Sequence, residues 1–247
     1  MTRADVWVLC YIRIMVSAAG APWWGEYLAQ YHEASRFVRG CKVLDIGCGA
    51  GHGTRYLFDH GAVECLGVDV NGQDILTAQK ENGRDGVSFI AADAKNLPFE
   101  PRSFDLITCF QVLESTTSCD QVMDQIKRLV RPEGTVLLST VNRRRDQHLA
   151  LTPAALEHIQ EFDRDEFKYL LKKNFAHCEI MGLSCHRTRN KTLEFVKNQL
   201  ENRIPWKLRE AFSKRVFGTS FYPAAGDYSL VNPSAEEVPL FFAVCKL

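Results

Sequence analysis

Several features are missing from this chain, and each absence removes a class of function. No apolar run reaches the roughly 18 uncharged residues that a membrane-spanning helix needs. The longest, Val6 to Ala21, is interrupted by Arg13. That stretch has the outline of a signal peptide, with Arg3 ahead and Ser17-Ala18-Ala19-Gly20-Ala21 behind, but the arginine inside its apolar segment spoils it. Met15 is an alternative start, which would make residues 1–14 an upstream extension. Neither charge is in excess: thirty Lys and Arg balance thirty Asp and Glu, so no nucleic-acid partner held chiefly by charge is expected. The nine cysteines are odd in number and never spaced Cys-x-x-Cys, so neither a metal site nor a disulfide framework is expected. They read as reduced thiols, and the expected location is cytoplasmic.

What remains is an ordinary globular composition, 46% hydrophobic and 24% charged. From residue 41 short apolar runs alternate with longer amphipathic ones. Lys42 to Ile46, Glu64 to Val70, Val87 to Ala91, Phe104 to Phe110 and Thr135 to Ser139 read as strands; Thr54 to Asp59, Asp74 to Glu81 and Asp120 to Leu129 read as helices. Strands apolar on both faces and separated by helices imply a parallel sheet covered on each side. Asp163-Arg-Asp-Glu166 is a helix start, a capping acid with Glu three residues on, and Phe167, Leu170, Leu171 and Phe175 form that helix's buried stripe. Cys178 to Leu183 and Leu240 to Cys245 are two further strands. Between them Leu193, Val196, Leu200, Ile204, Leu208, Phe212 and Val216 recur at helical spacing, with Pro205 forcing a break or kink. The expectation is one domain over 1–247: an N-terminal helical cap at 1–40, a core at 41–185, a basic helical insertion at 186–238 and a final strand at 239–247.

The chemistry is expected where the first strand ends, at Val43-Leu-Asp45-Ile-Gly47-Cys48-Gly49-Ala-Gly51. Gly47 and Gly49 let the backbone turn tightly against a ligand, and Gly51 lets the following helix pack on the strand. Asp69, eighteen residues after Gly51 at the tip of the second strand, is placed to accept from a ribose diol. Two cofactor classes use such a turn. The pyrophosphate of a nicotinamide dinucleotide would be repelled by Asp45, whereas the ammonium of S-adenosylmethionine would be met by it, directly or through water. Asp93, in Ala92-Asp93-Ala94 after the third strand, can accept from an adenine amino group. The acids favour S-adenosylmethionine.

Val43 to Gly51, Gly67-Val-Asp69-Val70, Ala92-Asp93-Ala94-Lys-Asn-Leu-Pro-Phe99, Ser103-Phe-Asp-Leu-Ile107 and Leu129-Val-Arg-Pro-Glu-Gly134 resemble the successive motifs of the class I S-adenosylmethionine-dependent methyltransferases, over roughly residues 26 to 182. The resemblance implies a Rossmann-like α/β fold: a seven-stranded, mostly parallel sheet with helices on both faces. Its last strand is antiparallel and inserted between the fifth and sixth. It also implies S-adenosylmethionine as cofactor and S-adenosylhomocysteine as product. Besides the glycines, Asp45, Asp69 and Asp93, the expected cofactor-binding residues are Tyr31, Cys48, Val70, Ala94, Phe110 and Gln111. Glu26 to Ala34, Phe110-Gln-Val-Leu-Glu114 and His158 to Phe167 resemble a branch common among small-molecule and glycan-modifying methyltransferases. Ser115 stands where that branch usually has His, and Gln30 where it often has Arg.

His158 and Glu114 are the candidate catalytic residues. The histidine is either a base that takes a proton from a hydroxyl acceptor or a polar residue that orders Glu161; Glu114 is base, substrate ligand or helix cap. Between His186 and Arg215, nine Lys and Arg face three Glu. That segment reads as a lid for an anionic acceptor, a peripheral membrane contact, or a solvated helix face. The expected reaction is in-line methyl transfer to a hydroxyl, with an amine less favoured, of a small-molecule or glycan-type acceptor. A protein that binds S-adenosylmethionine without transferring methyl is the alternative.

Overall fold

The computed structural model describes residues 24–144, 158–186, 224–232 and 238–247. In chain order these form α1 (Trp24–Ala34), β1 (Lys42–Ile46), α2 (His52–Asp59), β2 (Glu64–Asp69), α3 (Gly72–Asn82), β3 (Val87–Ala91), β4 (Phe104–Phe110), α4 (Cys119–Leu129), β5 (Val130–Val141), α5 (Arg164–Asn174), β6 (His177–Cys185), β7 (Tyr228–Val231) and β8 (Leu240–Lys246). The sheet order is β3-β2-β1-β4-β5-β8-β6-β7. Strands β1 to β5 pair in parallel, and β8 runs antiparallel to both β5 and β6. The antiparallel last strand therefore lies between the fifth and sixth, as expected. The strand count is corrected from seven to eight: β7, four half-buried residues, lies within the segment expected to be a helical insertion. Most of that insertion, including the Leu193 to Val216 pattern, lies outside the described residues.

Alternation along β1 shows how the helices cover the sheet. Leu44 and Ile46 join a buried cluster with Val122, Met123 and Ile126 of α4 and Phe167 and Leu171 of α5. The intervening Asp45 points the other way, where it meets Tyr31 of α1 and Thr54 of α2. Alternate residues of β4 follow suit, Ile107 and Cys109 into the cluster and Thr108 toward Asp45. Helix α5 begins as expected: Asp163 Oδ1 accepts from the Asp165 and Glu166 amides at 3.0 Å, and Glu166 Oε2 accepts from the Asp163 amide at 2.9 Å.

Two compact units divide the chain: Gln30–Leu183 with Leu230–Leu247, and Met1–Ala29 with Ser184–Ser229. The larger holds the parallel strands, the glycine turn and every candidate site residue. In the smaller, Trp24 stacks on Tyr27 at 5.3 Å, and the His186 amide donates to the Asp227 carbonyl at 2.9 Å.

The segment after β3 has no regular structure, yet it is firmly held. Arg128 of α4 donates to the Phe99 carbonyl at 2.6 Å and the Leu97 carbonyl at 2.7 Å. Its guanidinium also reaches Gln125 Oε1 at 2.7 Å, and that oxygen accepts from the Leu97 amide at 3.3 Å. Removing the guanidinium strands two half-buried carbonyls. Hydrogen bonds to charged groups contribute about 1.5–3 kcal/mol. Arg128→Met is expected to lower the unfolding free energy in urea by about that amount; a loss under roughly 0.5 kcal/mol would show that the clamp contributes little.

Candidate functional site

The turn after β1 is built on left-handed backbone. Gly47, Gly49 and Gly51 have φ of 76°, 51° and 81°. A Cβ on Gly47 would strike Val112 Cγ2 at 2.2 Å, and one on Gly51 would strike Phe89 at 2.6 Å, so packing as well as φ requires glycine at both. At Gly49 only φ requires it: a Cβ there would meet nothing within 4 Å, so the crown of the turn is open. The turn is tied to β2 by the Gly47 and Cys48 amides, which donate to the Val68 carbonyl at 2.8 and 3.0 Å. The Cys48 side chain is buried, facing Gly67.

Asp69 completes the turn. Its Oδ2 accepts from the Gly49 amide and its Oδ1 from the Asn71 amide, both at 2.9 Å. Each oxygen keeps further lone-pair capacity. Val70 beside it is 76% exposed, a large apolar side chain turned to open space at the strand tip. Asp93 is exposed, accepts from the Lys95 amide at 2.9 Å and pairs with Lys95 Nζ at 3.4 Å. This is the geometry of a loop cap, with half-buried Ala94 inside the turn.

Beneath the turn lies a network that sequence reasoning missed. Asp45 is wholly buried and accepts three hydroxyls: Thr54 at 2.6 Å, Thr108 at 2.7 Å and Tyr31 at 3.3 Å to each oxygen. Burial pushes its carboxyl pKa up to about 6; the three hydroxyls oppose that rise and the charge of Asp69 adds to it. Tyr31 is 1% exposed and edge-on to Phe110, with centroids 5.1 Å apart. Its ring lies over Gly53, where any Cβ would fall 2.0 Å from it. Thr108, a hydroxyl within the apolar run Phe104 to Phe110, was the available signal.

After β4 the chain leaves through Gln111 at φ 54°, a left-handed conformation that costs a non-glycine residue about 1–3 kcal/mol. The Gln111 amide donates to the Ser139 carbonyl at 3.2 Å, while Ser139 Oγ meets Gln30 Oε1 at 2.5 Å, both side chains buried. Glu114 is fully buried. Its Oε1 accepts from the Val141 amide at 2.6 Å and from Thr140 at 2.8 Å, and among the described residues its Oε2 meets no hydrogen-bond partner. Burial raises its carboxyl pKa; the Val141 and Thr140 bonds and the nearby His158 oppose the rise. The Glu114 carbonyl accepts from the Ile159 and Gln160 amides at 2.8 and 3.2 Å, which seats residue 158 against this turn. His158, its side chain 5% exposed, holds Glu161 Oε1 through Nδ1 at 3.0 Å. The structure thus brings Tyr31, Asp45 and Phe110 into one cluster and Glu114 and His158 into another. Asp93 stands in neither.

The residues of the turn suit S-adenosylmethionine: an open crown of backbone, a carboxylate with spare lone pairs at the next strand tip and an exposed apolar side chain beside it. The comparisons agree. Residues 44–138 match the methyltransferase domain family. Over 170 residues the chain is 28% identical to a ubiquinone biosynthesis O-methyltransferase of Neisseria meningitidis serogroup C, spanning 66% of this chain and 71% of that protein. Its fold matches a SAM-dependent methyltransferase from Thermotoga maritima (TM-score 0.60, 14% identity, 99% of this chain and 94% of that one). The 4+2 cyclase SpnF shares the fold too (TM-score 0.58, 16% identity, 93% and 84%). Residues 44–138 thus carry the signature of a methyltransferase domain, and the named relatives and the shared fold support a class I S-adenosylmethionine-dependent methyltransferase, a family whose cofactor is S-adenosylmethionine. Among the described residues no helix is long and apolar enough to cross a membrane, and no cluster of three His, Cys, Asp or Glu could hold a metal ion.

The raised Asp45 pKa makes a pH prediction. An Asp that titrates at about 6 in the folded chain and 3.8 unfolded binds its proton more tightly when folded. Its contribution to stability is fully present below pH 3.8 and is lost as pH rises through 6. Between pH 7.5 and 5 the wild type should gain about 1.4 kcal/mol relative to Asp45→Asn, read by urea unfolding at each pH. Parallel pH profiles for the two proteins would contradict the assignment.

Proposed function

We propose that the chain moves the methyl group of S-adenosylmethionine onto a hydroxyl oxygen of a small molecule and releases S-adenosylhomocysteine. The observation that carries this reading is the arrangement around His158. A nearly buried imidazole is held through Nδ1 by Glu161 and lies near the buried Glu114, whose carbonyl accepts from the two amides that follow the histidine. With Nδ1 donating to Glu161, the lone pair sits on Nε2, ready to take a hydroxyl proton. The name of the Neisseria relative, an O-methyltransferase, supports oxygen as the receiving atom.

The cofactor supplies an electrophilic methyl on a sulfonium; this chain's residues supply position. Gly47, Cys48, Gly49 and Gly51 offer backbone only. Asp69 would accept from the ribose diol, Val70 would pack on the adenine, and Asp93 with the Ala94 amide would meet the adenine edge. The Phe110 and Gln111 carbonyls would accept from the methionine ammonium. Asp45 acts from below by holding Tyr31 and the two threonines. Holding nucleophile and methyl in line in a water-poor site can supply about 7–11 kcal/mol. The basic stretch from His186 to Arg215 supports an acceptor that carries phosphate or carboxylate, glycan-type acceptors included; the same charge supports contact with an anionic membrane surface. The second reading, binding without methyl transfer, draws on Ser115 and on a cyclase that shares the fold.

Radiolabelled S-adenosylmethionine and a panel of phenolic and anionic hydroxyl acceptors test the proposal. Transfer to oxygen is expected, with kcat lowered about 10²–10⁴-fold by His158→Gln while S-adenosylhomocysteine affinity holds within about twofold. Full activity in that variant would remove the base. No transfer to any acceptor by wild type that binds S-adenosylhomocysteine would favour the second reading.

A further inference from the structure

One pair of side chains lies outside the chemistry described above. Cys178 on β6 and Cys245 on β8 are direct cross-strand partners in antiparallel register. Opposed residues on such strands have Cα atoms about 4.5–5.5 Å apart. That lies inside the roughly 4.4–6.8 Å that a disulfide spans. The two sulfurs face one another at 2.7 Å, and both cysteines are free thiols. The pair lies five register positions from Leu183 and Leu240, toward the end of β6 away from the glycine-turn edge.

We propose that Cys178 and Cys245 are a reversible redox pair whose oxidation closes a disulfide between β6 and β8, locking the antiparallel strand to its outer neighbour. The environment divides the roles. Cys178 is half-buried and can be reached from solvent, whereas Cys245 is fully buried in the main apolar cluster. The contact with Cys245 lowers the Cys178 thiol pKa, while the same contact and burial raise that of Cys245. Cys178 is therefore the attacking sulfur. With a small-molecule disulfide as oxidant, the Cys178 thiolate attacks one of its sulfurs, forms a mixed disulfide and expels one small thiol. Cys245 then gives up its proton and attacks Cys178, expelling the second thiol. The protein loses two protons and two electrons, and the small disulfide is reduced to two thiols. Cys48, Cys65 and Cys109 stay as thiols, since burial raises each well above its ordinary pKa.

The lock should be visible in stability, because the bridge closes a loop between residues 67 apart. Full-length protein is incubated with oxidised glutathione, then denatured for thiol titration and peptide mass mapping. The expected result is two thiols fewer than the nine of the reduced chain, a Cys178–Cys245 cross-linked peptide, and a Tm raised by roughly 5–15 °C and restored by dithiothreitol. Cys178→Ser should abolish all three changes. Cys245→Ala, which avoids a buried hydroxyl, should leave a single glutathione on Cys178. An unchanged thiol count, or wild type that stops at the glutathione adduct, would overturn the proposal.

Discussion

The carboxylate of Asp45, with no access to water, holds the carboxyl edge of the sheet together. Its three hydroxyl partners come from α1, α2 and β4, while Asp45 itself sits on β1, so one side chain joins four elements directly under the glycine turn. Burying a carboxylate is costly unless its lone pairs are filled. Here the filling is incomplete compensation, since the carboxyl still titrates near 6. Tyr31 depends on this bond for its place over Gly53 and against Phe110, and a ring so placed shapes the carboxyl edge of the sheet beside the glycine turn. Stability spent at such an edge is typical of a site that must be pre-formed.

The same economy recurs at Glu114 and Gln111. A buried carboxyl with one oxygen unpartnered among the described residues and a glutamine in left-handed backbone are each unfavourable in isolation, and both lie in the few residues after β4. They persist because neighbours over-determine them: Gln111 is pinned to Ser139, and Glu114 is bonded to Thr140 and Val141 on one side and carries residues 159 and 160 on the other. The cost is borne by an apolar cluster drawn from α4, α5 and the central strands.

Much of this was legible in the amino-acid order, for local reasons. Short apolar runs, the first ending in the glycine turn, placed β1 to β4 within a residue or so, and the capping acid at Asp163 placed α5, because those signals are contiguous in sequence. What escaped was long-range. Thr108 reaches Asp45 across 63 residues, and Gln30 reaches Ser139 across 109, so no window of sequence contains either pair. Strand β5 starts at Val130, ahead of a Pro132-Glu-Gly134 stretch that reads as a turn; a register shift between Phe104 and Leu106 accommodates it. Strand β7 was invisible because four half-buried residues show no periodicity to read.

The central claim, that the glycine turn and Asp69 form the cofactor site, is tested most directly by calorimetric titration of S-adenosylhomocysteine into wild type and Asp69→Ala, each checked for a folded thermal transition. Micromolar binding by the wild type, weakened about 10- to 100-fold by loss of one charged hydrogen-bonding group, is the predicted result. Equal affinity in the two folded proteins, or no binding by the wild type, would contradict it.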